Sequence, residues 1–90
     1  MTCRKLPILN VYATQVEATK AFTRALEELS FIKFSYRNLV VETGDFVIYF
    51  QTCGDAREKL AGQEYWKIYF HCDLQPETHQ LYLSRIRYFN

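Results

Sequence analysis

At 90 residues the chain has room for a single hydrophobic core, and an apolar content of 49%, with seven Phe, seven Tyr and one Trp, is too high for a disordered segment. Eleven Lys and Arg against ten Asp and Glu leave a net charge of +1, which argues against a DNA mimic and against a general phosphate-backbone binder while leaving a local basic patch open. The three cysteines, Cys3, Cys53 and Cys72, show no CxxC spacing, so neither a disulfide framework nor a four-cysteine zinc site is expected, and reduced thiols of a cytoplasmic protein are the plain reading. No apolar run approaches the ~20 residues that cross a bilayer.

The chain begins with a short apolar run, LPILNVY, read as a first strand over Ile8–Ala13 with Pro7 at its start. Thr14-Gln15-Val16-Glu17 then forms a capping box, in which the Thr14 hydroxyl accepts from the Glu17 N–H and the Glu17 carboxylate reaches back. Ala18, Phe22, Ala25, Leu26 and Leu29 recur with helical period, with Lys20, Arg24 and several glutamates elsewhere on the surface, so a helix runs from about Gln15 to Ser30.

From Phe31 the period changes to two. Ile32, Phe34 and Tyr36 alternate with Lys33, Ser35 and Arg37, and Arg37-Asn38 precedes Leu39-Val40-Val41. Thr43-Gly44-Asp45 reads as a hairpin turn using residues tolerant of positive φ, and Phe46–Phe50, apolar on both faces, reads as a central strand. Asp55 and Glu58 mark a short helix over Ala56–Ala61 that Gly62 stops, and Tyr65–Cys72 is a further strand. Gln75-Pro76-Glu77 is a helix entry, and Thr78–Tyr88 reads as helix, with a strand as the competing assignment because Leu81, Leu83 and the alternating Arg85 and Arg87 also fit a strand. The order β-α-β-β-α-β-α implies a small α/β (or α+β) domain with one mixed sheet and helices packed on it, a ferredoxin-like βαββαβ sandwich being the alternative.

Two stretches resemble known proteins. The opening ILNVYATQVEATKAF resembles the start of small orphan proteins encoded by bacteriophages, and AREKLAGQEYWKIYF resembles their Leu-x-Gly turn and following strand. Both resemble, more remotely, the middle of the P-loop ATPase core of phage terminases and helicases, with Leu60, Gly62 and Ile68 carrying the match. The resemblance implies an ATPase-like sheet and, for a phage protein, an inhibitor of a host or defence protein of the anti-CRISPR or takeover type. The chain departs from the ATPase pattern where chemistry is done. It has no GxxxxGK[ST] loop, and His71-Cys72 stands where the acidic strand end would hold magnesium. An ATPase-like sheet without ATPase activity is what this implies.

Of the residue types that carry chemistry, His71, Cys72, Asp73 and His79 are the one metal-ligand cluster, but His71 and Cys72 point to opposite faces of a strand and the set is short of zinc's four ligands. A Cys53–His79–Asp73 triad has no supporting spacing. The expectation is a non-enzymatic domain with no cofactor and no metal. Tyr and Arg, the types enriched at protein interfaces, are abundant, and the candidate partner-binding residues are Tyr36, Arg37, Tyr65, Lys67, Tyr69, Arg85, Arg87 and Tyr88. On the strand Tyr65–Cys72, Tyr65, Lys67 and Tyr69 share a face turned toward solvent or a partner, and Trp66, Ile68 and Phe70 face the core. The expected partner is another protein. The alternative is nucleic acid held through Lys33, Arg37, Arg85 and Arg87, with homodimerisation through an edge strand as a further option.

Overall fold

The computed structural model describes residues 5–53 and 64–86. Five strands, β1 (Leu6–Tyr12), β2 (Lys33–Ser35), β3 (Val40–Glu42), β4 (Phe46–Thr52) and β5 (Lys67–Phe70), form one mixed sheet in the order β2-β3-β4-β1-β5, joined by helices α1 (Gln15–Glu28) and α2 (Pro76–Leu83). The short helix expected over Ala56–Ala61 lies outside the described residues, as do Cys3, Arg87 and Tyr88.

Pairing follows the apolar pattern. β4 is central, as its two-faced hydrophobicity implies, and pairs parallel with β1, which pairs parallel with β5; β2, β3 and β4 form an antiparallel meander. The parallel trio, with a helix on each face, separates this sheet from a ferredoxin-like sandwich, whose helices share one face of an antiparallel sheet. Pro7 lies inside β1 without loss of a ladder bond. Its carbonyl accepts from the Trp66 N–H at 2.8 Å, and its missing N–H faces the same side, one residue before the β1–β5 ladder begins at Ile8.

Alternation along β1 and β4 divides the core in two. On one face Ala18 and Phe22 of α1 pack with Leu39, Val41 and Phe50; on the other, Leu9 and Val11 pack with Tyr65 and with Tyr82 of α2. The capping box of α1 forms half as expected: the Thr14 hydroxyl accepts from the Glu17 N–H at 3.2 Å. α2 ends at Leu83, five residues before the sequence reading places its end. Beyond it Ile86 makes a parallel bridge to Tyr65, so the strand-like alternation of this segment is used after all.

Two turns differ from expectation. Neither Gly44 nor Asp45 has positive φ; instead Thr43 closes the hairpin, its N–H donating to the Phe46 carbonyl at 2.8 Å and its hydroxyl accepting from the Phe46 N–H at 3.0 Å. The left-handed residue is Leu39, with φ of 51°, in the turn between β2 and β3. Its carbonyl accepts from Phe50 N–H at 3.0 Å and its side chain is buried, so tertiary packing holds a leucine where Asn or Gly would sit without strain.

Candidate functional site

The sheet has two edges, and the functional candidates divide between them. With strands about 4.8 Å apart, β2 and β5 lie roughly 19 Å from one another, so the expected partner-binding residues do not form one surface. Tyr36 and Arg37 lie beside β2; Lys67 and Tyr69 lie on β5.

At the β2 edge, Phe34 pairs with Val41 and so projects onto the α1 face. α1 packs mainly on β1, β3 and β4 and leaves Phe34 partly exposed. The result is a row of rings grown outward from the core. Phe22 is buried, and Tyr36 meets it edge-on at 5.0 Å; Phe34 contacts Tyr36 at 5.5 Å and Phe31 at 5.3 Å. Phe22 is fully buried, whereas Phe31 is 38%, Phe34 45%, Tyr36 58% and the neighbouring Ile32 65% exposed. A contiguous apolar patch on an unpaired edge is uncommon in a monomer and marks a contact surface.

Charge at this edge is mostly positive. Glu42 on β3 takes Lys5 and Lys33 at 3.3 Å each, and Arg37 sits at the turn. Partial desolvation works to raise the Glu42 pKa, but the two lysines outweigh it and hold the carboxyl below its ordinary value.

At the β5 edge, register places Lys67 beside Ile8, Tyr69 beside Asn10 and His71 just beyond, so the three share the α1 face. α1 leaves this part of the sheet open as well. The His71 ring stacks on Tyr12 with centroids 4.5 Å apart and planes inclined by 6°, and its Nε2 is 3.0 Å from Asn10 Oδ1. Between this stack and the flank of α1 runs an open groove of about 670 Å³, with Tyr12 and His71 on its floor and Lys20, Arg24 and Glu28 on its wall. Lys67 Nζ sits 4.7 Å over the Trp66 ring, farther along the same edge.

The remaining candidates fall elsewhere. Tyr65, expected to share a solvent face with Lys67 and Tyr69, is 1% exposed in the opposite core. The chain bends at Trp66, and the Tyr65 N–H bonds the Arg85 carbonyl at 2.8 Å, which turns its ring to the α2 face against Tyr49. Burial raises its phenol pKa to about 12, so Tyr65 is a neutral core residue. Trp66, expected in the core, instead stacks on Phe46 at 5.9 Å and is half-buried. Arg85 contributes its backbone to that bridge, and its Nε is buried with no partner among the described residues. Arg87 and Tyr88 lie outside the described residues.

The sheet separates His71, on the α1 face, from Cys53 and Cys72, which pack on the α2 side, and from His79, which lies edge-on to Phe70 at 4.6 Å on that same side. Among the described residues no group of three or more His, Cys, Asp or Glu is placed to hold a metal ion. The Cys72 thiol pKa is raised by burial and by the neighbouring Cys53 thiol, the opposite of what a nucleophile needs. No described helix is long and apolar enough to cross a membrane.

The sequence reading missed Phe31, Ile32 and Phe34 as surface residues, although the strict Ile32/Phe34/Tyr36 alternation with polar neighbours is the signal of a one-sided strand. For the groove no local signal exists, because Asn10, Tyr12 and His71 meet only through parallel pairing. Compared with known protein families, characterised proteins and solved structures, the chain matches none significantly.

Proposed function

We propose that the chain is a protein-binding module whose docking surface is the β2 edge, and that its partner contributes an extended segment, apolar on one face and acidic beside it, that adds to β2 as a strand. The observation that supports this is the exposed row Ile32, Phe34 and Tyr36 on a strand with one side unpaired. Strand addition takes affinity from main-chain hydrogen bonds and specificity from alternate side chains. Aromatic side chains anchored on a rigid neighbour are the kind that dominate such contacts, and Phe22 supplies that anchor beneath Phe34 and Tyr36. The acidic character of the partner follows from Lys5, Lys33 and Arg37 standing against the single Glu42. Its biological form is that of an inhibitor that occupies a surface of a host or defence protein, a role that rests on the resemblance to bacteriophage orphan proteins.

The test compares the wild-type chain with Phe34→Glu. The reading expects a captured protein that rebinds when purified, is lost with the variant, and slows amide exchange at residues 33–36. Equal capture by both forms, or unprotected β2 amides in the reconstituted complex, would overturn it. Light scattering gives a second check: a dimer at micromolar concentration that Phe34→Glu dissociates would assign the edge to a second copy instead.

A further inference from the structure

The groove at the other edge carries a separate inference. We propose that the space between α1 and β5 binds single-stranded nucleic acid, with bases stacking along Tyr69 and the Tyr12–His71 pair and phosphates meeting Lys20, Arg24 and Lys67. Sequence-tolerant single-strand binding needs a cationic groove that follows the backbone and aromatic faces for successive bases. Both are present.

The aromatic row is set by the pleat. Tyr69 and His71 are two residues apart on one face of the strand line, a spacing of about 6.6 Å, and Tyr69 is 46% exposed. The His71 ring already lies flat on Tyr12, and its hydrogen bond with Asn10 fixes that orientation. A base laid on the exposed ring would therefore extend an existing stack.

The cationic row is set by the helix. Lys20 and Arg24 are one turn apart, about 6 Å along the axis, close to the interval between Tyr69 and His71 on the strand line. The single acid lining the groove, Glu28, stands 3.8 Å from Arg24 in an exposed pair, which phosphate can displace because such pairs are worth little. Lys67 adds a third cation along β5. A nucleic-acid strand carries a flat ring and a phosphate at every unit, which matches rings beside cations more regularly than an acidic peptide does. The cations differ from those the sequence suggests, because Lys33 lies on β2 at the far edge of the sheet.

The test is fluorescence anisotropy with labelled dT15 and U15, with uridine monophosphate as the free-nucleotide arm, using the whole chain. Three phosphate contacts imply a slope of log K against log salt of about −2, or roughly 20-fold weaker binding from 50 to 200 mM. Lys20→Gln with Arg24→Gln should flatten that slope by about 1.4, and Tyr69→Ala should weaken binding at least about five-fold. Phe34→Glu should leave it unchanged, which distinguishes this site from the β2 edge. Circular dichroism melts of each variant establish that the fold persists. Absence of binding at 50 mM salt overturns the proposal, as does a slope unaffected by the double variant. Uridine monophosphate binding as tightly as the oligomers would also overturn it, by assigning the groove to a free nucleotide.

Discussion

Leu39 offers a test in which the sign of an effect, rather than its size, decides the matter. Its φ of 51° is the one positive value at a non-glycine position among the described residues, and its side chain is 5% exposed in the cluster of Phe22, Val41 and Phe50. Truncation to alanine removes the buried branches and costs about 2–5 kcal/mol, the usual range for buried leucine. Truncation to glycine removes the same branches, and at an ordinary strand position it would be worse than alanine by about 0.5–1 kcal/mol through backbone entropy. Here a residue with a Cβ also bears about 1–2 kcal/mol for the left-handed conformation, which glycine does not. Taking midpoints, Leu39→Gly should be more stable than Leu39→Ala by about 0.8 kcal/mol. For a domain of this size that separates the two melting temperatures by about 3–6 °C. Urea unfolding of both variants checks it, with m-values compared so that a change in the unfolded chain is not mistaken for a change in the turn. Alanine equal to or more stable than glycine would refute the reasoning, because the β2–β3 turn would then not depend on a left-handed residue.

Three further outcomes follow from the same geometry. The Tyr82 hydroxyl is buried without a partner among the described residues, so Tyr82→Phe should leave urea stability unchanged or raise it by about 1 kcal/mol; a clear loss would reveal a partner. Tyr65 and Tyr82 have pKa values raised to about 12 from the ordinary 10.0; their burial therefore contributes stability that is complete below pH 10 and is lost as pH rises toward 12. Alkaline unfolding followed by circular dichroism should shift upward in Tyr65→Phe. The Glu42 carboxyl is held below its ordinary value, so its contribution is present above the usual glutamate range and falls away as pH drops through the lowered pKa. Glu42→Gln should flatten the acid limb of the stability curve, and an unchanged limb would show that the two lysines do not act on it.

What the sequence made legible was what neighbouring residues decide. The Thr14 cap and the period of Ala18, Phe22 and Ala25 place α1 almost to the residue, because helix signals are contained within a few turns. The two-faced apolar run at Phe46–Phe50 identifies the central strand for a similar reason. Tyr65 was misplaced because strict alternation was extended through Trp66, where the chain bends between the Tyr65–Ile86 bridge and β5. The turn chemistry at Gly44 was misread because Thr43 supplies a side-chain closure that makes positive φ unnecessary. The two surfaces were least legible. Which aromatics remain outside depends on how far α1 reaches across the sheet, and no residue in α1 encodes that reach alone.

The parallel pairing of β1 also has a consequence for how the chain is made. Ile8 must find Ile48 and Leu9 must find Ile68, so β1 has both its partners far downstream. At about 5–20 residues per second, roughly 2–8 s pass between the emergence of β1 and that of β4. During that interval LPILNVY is an unpaired apolar strand, followed by a 14-residue helix that is marginal without the sheet to pack on. A nascent chain stalled before Phe46 should therefore recruit chaperone, and one stalled after β5 has emerged should release it.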